Sequence, residues 1–520
     1  MMPPFSNRAI SAWPSVLLLI VSGCVFGVPI VTAAGAVARG LLEGAAIADP
    51  PAVSAAALLR SIGWAFAIGG LAALLAAPLA WWSRGLSRRG SWVLIAPVLL
   101  PMPLAYAGLN ALRAPGTGFG EWLALGPSWR AVLVGRLIAV LALALWAAPL
   151  AAMIQSARLR ALPVSLSESL RADGAGPTVR SRVMARLVAG AWFLSAAMIA
   201  LLMLGSAVPL HLARIPTASI GLWLELDALP RGEAWRVWLA AWPLALIAAA
   251  AAVLVARAAP LWLAARADPQ RSIGGGRLSA VLSAAVVVLA AGLPLALLAG
   301  SMQSLTTFST LWRTERGAIL DSAVVAIIVG AIGSAGTLTA RLAADRTPRL
   351  TAMILAFGLF TALAPGILVG SAVGESWTGA PQVAESAGIL VLAHLARFGV
   401  IAVLAGIALS LAEPTDARDR RRVDGATGPI AALLAAGPGA FGSAALVGVV
   451  LAVLSLSEIE ATVIVSPPGR ESVARSLLGM LHFARDEHMA GLMLIQAGAV
   501  AALIGAAALV RAVAARRSND

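Results

Sequence analysis

Uninterrupted apolar runs of about 18 to 26 residues recur along this chain from one end to the other, and that is the length an α-helix needs to cross the hydrocarbon layer of a bilayer. A chain this apolar cannot stay solvated as a free coil, and it exceeds what a soluble domain can bury. Charged residues are only 12% of the 520, about half the usual share for a soluble domain. Lipid supplies no hydrogen bonds to an exposed backbone, so runs of this kind are expected as helices. The sequence therefore predicts an all-α polytopic membrane protein with about 12 transmembrane helices, at 13–36, 57–82, 92–109, 131–154, 187–210, 234–255, 278–300, 320–342, 350–372, 386–412, 439–465 and 488–513.

Orientation follows from where arginine collects, because short loops rich in Lys or Arg stay cytoplasmic. The basic residues are all Arg. The N-terminal flank, the loops after helices 2, 4, 6, 8 and 10, and the tail, with their adjoining helix ends, hold 24 Arg against nine acids. All other positions hold 14 Arg against 15 acids. Both termini are expected to be cytoplasmic. The formal charge of +14 is thus read as membrane orientation and not as a nucleic-acid surface. The single cysteine, Cys24, permits no internal disulfide, and no Cys/His cluster has metal-ligand spacing. Val21-Ser22-Gly23-Cys24 has the look of a bacterial lipobox, but the apolar run continues past Cys24, which favours a spanning helix.

An internal repeat organises the rest. Shifting the chain by 251 residues aligns the acids Glu168 and Asp419, then Arg171 with Arg422, Asp173 with Asp424, Gly174 with Gly425 and Ala175 with Ala426. The same shift pairs Ser206 with Ser457 and Pro216 with Pro467, beyond an intervening helix. The expected organisation is two six-helix repeats, 1–265 and 278–520, joined by a polar Gly-rich linker at 266–277. Six is even, so the repeats are expected to be parallel, related by an axis along the membrane normal. The loops at 158–187 and 413–438 are basic, and their Asp-Gly step can reverse the chain because Gly tolerates positive φ. A loop that only set topology could use any arginines, whereas a repeated acid and Gly implies a shared shape. Two such shapes fit a partner that carries two copies of one surface.

At these residues the sequence resembles the membrane subunits of bacterial ABC-type, binding-protein-dependent importers. Their cytoplasmic signature loop runs Glu-Ala-Ala, three residues, Gly, nine residues, Ile-x-Leu-Pro. Glu168 and Gly174 match it, with Ser169 and Leu170 in place of the two Ala; in the second copy Asp419 and Gly425 match, with Arg420 and Arg421 in place of the Ala pair. The stretch from Ser457 to Gly469 and Leu481-His482 looks like the subgroup with both permease repeats fused in one chain, which serves ferric iron, thiamine and 2-aminoethylphosphonate import. The resemblance implies a permease subunit in the bacterial inner membrane. Two copies of an ABC ATPase would dock on the coupling loops, through Glu168, Ser169, Leu170, Asp173 and Gly174 in one and Asp419, Asp424 and Gly425 in the other. A periplasmic or lipid-tethered solute-binding protein would deliver solute. The chain itself is expected not to be an enzyme and to bind no cofactor, since ATP is used by the partner; with no Lys it holds no Gly-x-x-x-x-Gly-Lys-Ser/Thr phosphate loop. The degenerate second loop makes Glu168 and Gly174 the more important pair.

For the solute path the candidates are Glu458 and Glu460 near the end of helix 11, with Ser206 and Ser457, since carboxylates within membrane segments are often functional. Arg136, His394, Arg397 and Asp321 read as interhelical partners or interfacial anchors. Two alternatives are a twelve-helix secondary transporter, which should carry its coupling charges inside helices, and a membrane-embedded enzyme built on Glu458/Glu460 or on His482 with Asp486.

Overall fold

The computed structural model describes residues 7–42, 53–83, 97–160, 162, 164–230, 232–264, 276–413, 415–424, 428–435, 437–482 and 486–517. Among them there is no strand. The helices that carry the argument are α1 (Asn7–Ser22), α2 (Val28–Leu42), α3 (Ala55–Ser83), α4 (Met102–Asn110), α5 (Ser128–Arg160), α6 (Val164–Ala172), α7 (Pro177–Leu204), α8 (Val208–Leu212), α9 (Trp242–Ala264) and α10 (Arg277–Val287). They continue as α11 (Leu293–Gly300), α12 (Arg316–Arg346), α13 (Pro348–Leu363), α14 (Gly366–Ser376), α15 (Ala387–Phe398), α16 (Val400–Ala412), α17 (Thr415–Val423), α18 (Gly437–Ser457), α19 (Glu460–Val465) and α20 (Asp486–Arg517).

Among the described residues nine helices are long and apolar enough to cross a membrane, and two bent helix pairs raise the number to eleven. This is a multi-pass membrane protein. Large apolar side chains face outward along these helices, among them Leu17 and Ile20 of α1, Leu254 of α9, Leu278 and Val281 of α10, and Ile327 of α12. Lipid covers such a face; water would not.

The structure breaks six of the expected spans, and proline or glycine stands at four of the breaks; 187–210 stops at Leu204 before Gly205, and 234–255 is divided at Ala241. The described part of 92–109 is divided at Pro101. The expected span 350–372 is two helices bent by 114°, with Ala364 extended (φ −65°, ψ 151°) before Pro365. Proline forces its predecessor out of helical geometry and donates no amide proton, so the helix stops there. Ala114, before Pro115, has the same conformation (φ −60°, ψ 143°). The span 386–412 bends by 50° at Gly399, and 439–465 stops at Ser457, two residues short of α19.

Packing in the two halves of the chain follows one pattern. In the first, α3 lies against α5 and α7; in the second, α12 lies against α16 and α18. Small residues allow each close approach: a Cβ at Gly69 would strike the carbonyl oxygen of Ala196, and one at Gly330 would strike that of Gly448. The first helix of each half crosses to the other. Helices α1 and α2 pack on α12, α13 and α14, while α10 and α11 pack on α3 and α4. Both crossing helices contain a π turn, Gly23–Gly27 and Val288–Gly292, closed by i→i−5 bonds from Val28 to Gly23 and from Leu293 to Val288. Pro29 and Pro294 follow directly. Proline leaves the carbonyl one turn earlier without its amide, and the wider turn accommodates that loss. A glycine of the opposite half receives each of these segments: Gly358 faces Phe26 and Gly108 faces Pro294.

Candidate functional site

Two regions gather the polar chemistry, a buried cluster around Glu458 and Glu460 and a pair of short exposed helices, α6 and α17. The cluster exists because α18 stops at Ser457 and the chain restarts at α19, which brings two acids into the interior with only Ile459 between them. The expected position at the end of a continuous helix 11 is corrected by this break. Glu458 and Glu460 are 7% and 6% exposed, so neither faces water.

Glu460 reaches from the C-terminal half of the chain to the N-terminal half. Its Oε1 accepts the backbone N–H groups of Ala207 at 2.5 Å and Val208 at 3.2 Å, with Ser206 Oγ at 3.5 Å. Those amides open α8 and have no partner within the helix, so a carboxylate is a fitting cap. Among the described residues its Oε2 has no hydrogen-bond partner, and it lies against Gly366, where a Cβ would sit 2.6 Å away. Glu458 Oε1 accepts the Ala461 N–H at 2.9 Å, and its Oε2 lies 3.7 Å from Arg397 Nε. Arg397 also donates to the carbonyls of Ala362 at 3.2 Å and Ala364 at 2.6 Å, groups freed by the bend before Pro365. Beside it His394 bridges the hydroxyls of Ser455 at 2.6 Å and Thr462 at 2.8 Å. One guanidinium thus stands against two carboxylates, and the broken ends of α13, α18 and α8 meet at one point.

A narrow recess adjoins the cluster and is lined by Asp321, His394, Ser455, Glu458, Thr462 and Glu471, among others. At its rim Arg470 pairs with Asp321 at 3.3 Å. Among the described residues no three His, Cys, Asp or Glu side chains converge to hold a metal ion.

Of the solute-path candidates, the structure brings Glu458, Glu460 and Ser206 together. Ser457 is turned away and donates to the carbonyl of Val453 in its own helix. Arg397 belongs to the cluster as the partner of Glu458. Its position in an apolar run was visible, but its partner lies 61 residues further along the chain and no local signal links them. Gly366 and the Ala207–Val208 amides were not legible, because they act through the backbone.

The first exposed element, α6, carries Glu168 and Ser169 on the surface, with Leu170 half-buried and Asp173 exposed just past its end. It ends in a tight cap: Asp173 N–H donates to Ser169 O at 2.8 Å, Gly174 N–H to Arg171 O at 3.1 Å and Ala175 N–H to Leu170 O at 3.0 Å. Gly174 has φ +69°, and nothing stands within 4 Å of where its Cβ would be. The glycine is therefore required by the backbone and not by crowding. The second element, α17, exposes Asp419, and just past its end Asp424 is exposed and its N–H donates to Arg420 O at 2.8 Å. Gly425, most of the 266–277 linker and the side chain of His482 lie outside the described residues. Shifting α6 by 251 residues gives 415–423, the bounds of α17.

No protein-family model, curated protein or solved structure matches this chain.

Proposed function

We propose that this chain is the permease subunit of an ABC-type importer of the bacterial inner membrane, two parallel six-helix units with both termini cytoplasmic. The observation that carries the reading is the pair α6 and α17, two short helices of equal length 251 residues apart. Each follows a membrane helix, α5 or α16, and comes before another, α7 or, beyond the short helix Pro429–Ala435, α18; the flanking pair packs on one central helix, α3 or α12. Paired exposed helices at matching points of a packing pattern suit a motor with two like subunits. Each of two ATPase subunits grips one helix, and their ATP-driven closure moves the two units as bodies between inward-open and outward-open forms. This chain supplies the path and the coupling, and hydrolysis takes place on the partner.

Solute, delivered by a periplasmic or lipid-tethered binding protein, passes between the units. The recess beside Glu458 has carboxylates from Asp321 and Glu471 at its lining, so a small cation such as ferric ion or thiamine is the favoured class. The bonds from Ala207 and Val208 to Glu460 join the two halves of the chain and must break when they separate. Co-purification with the ATPase encoded beside this chain tests the reading. Gly174→Trp should abolish complex formation and ATPase stimulation; if both persist unchanged, the docking reading is wrong.

A further inference from the structure

We propose that Arg418 locks α17 to the helical body, making the second elbow the rigid lever through which the motor's movement is passed on; the inference rests on the importer reading above. Arg418 points inward from a helix whose other side, at Asp416, Ala417, Asp419 and Arg420, is exposed. It lies 3.2 Å from Asp345 Oδ1, donates to the carbonyl of Ser410 at 2.8 Å, and places Nε 4.0 Å from Glu413 Oε2. Glu413 in turn pairs at 3.3 Å with Arg341, which is 4% exposed. Ser410 closes the loop by donating to Asp345.

In these bonds two cations and two carboxylates alternate in a partly dry site. Arg341 and Asp345 stand one turn apart near the end of α12, the central helix of that packing unit. A guanidinium held by a carboxylate and a carbonyl at once has a fixed direction, which a single surface ion pair lacks. The first half has other residue types at the matching positions. The positions 251 residues before Ser410, Glu413 and Arg418 are Leu159, Leu162 and Ser167; Leu159 is 1% exposed within the apolar core and Leu162 packs on it. Apolar residues thus stand at the first two of these positions, where the second half has polar groups that bond to Arg418 or Arg341. Arg420 and Arg421, which depart from the family's small residues, follow Arg418 on the same helix.

The test uses the full chain in nanodiscs with the ATPase encoded beside it. Arg418→Met should still bind the ATPase, since the exposed side of α17 is unaltered, but transport per ATP hydrolysed should fall about tenfold, within the usual span of coupling free energies. Arg418→Lys, which keeps the charge toward Asp345, should retain most of the coupling. A second readout needs no ATPase: in a Cys24→Ser background, spin labels at positions 349 and 419 should give one narrow distance in the parent and Arg418→Lys proteins and a broad one in Arg418→Met. If Arg418→Met fails to fold, Asp345→Asn takes its place, with the same broadening expected. An unchanged distance distribution or unchanged coupling overturns the proposal. A parent chain that binds no ATPase instead refutes the importer reading, and the label distances then decide the lock on their own.

Discussion

Replacing Glu460 by Gln and by Ala separates what its oxygens do from what its charge does. Oε1 is the acceptor for two buried amides, Ala207 and Val208, whereas Oε2 is buried without a partner. In Glu460→Ala both amides lose their acceptor, and each buried unsatisfied donor costs about 1–3 kcal/mol. The loss is offset in part because a buried carboxylate with incomplete compensation is removed, a group whose burial itself costs several kcal/mol. In Glu460→Gln the carbonyl oxygen still accepts both amides, the side-chain volume is unchanged, and the unpartnered oxygen becomes an NH₂ that can donate to Glu458. The expectation is that Gln is as stable as Glu or more stable by about 1–2 kcal/mol, and that Ala is less stable than Gln by about 2–4 kcal/mol. Equilibrium unfolding in mixed micelles, followed by helical circular dichroism, measures both differences. If Gln proves as destabilising as Ala, the charge and not the amide cap holds the site, and the reasoning fails.

Arg397→Met should destabilise the fold by about 3–5 kcal/mol, because it leaves the buried Glu458 without its cation; the same unfolding assay should find Arg397→Met with Glu458→Gln milder than Arg397→Met alone. Gly330→Leu should prevent α12 from seating on α18 and abolish a monodisperse protein peak in size exclusion, whereas Gly300→Leu, with open space at its Cβ, should leave that peak unchanged. Gly174→Ala should weaken the α6 cap by about 1 kcal/mol through its positive φ, read as faster amide exchange at Gly174 and Ala175 with no change at α17.

The membrane class was legible because the period of a span is written in one dimension: α3, α5, α10, α12 and α20 all fall where apolar runs predict them. The Asp-Gly step of α6 was legible too, since a reversal at Gly174 needs only local backbone freedom. The bends were only partly so. Apolar residues continue across Pro365 and Gly399, and hydropathy cannot tell a bent pair from a straight span. The exchange of the first helices left no mark in the local pattern, because α1 is equally apolar whichever half it packs on. Glu458 and Glu460 stood out by type, but Glu460 is held by the amides of Ala207 and Val208 some 250 residues away. A backbone partner has no residue identity by which to be recognised.

Single cysteines at positions 168 and 419, in a Cys24→Ser background and labelled by a membrane-impermeant maleimide, bear most directly on the importer reading. The account predicts that both label in inside-out vesicles and neither in right-side-out vesicles, and that excess ATPase protects both. Labelling of either position from the outer face would contradict it.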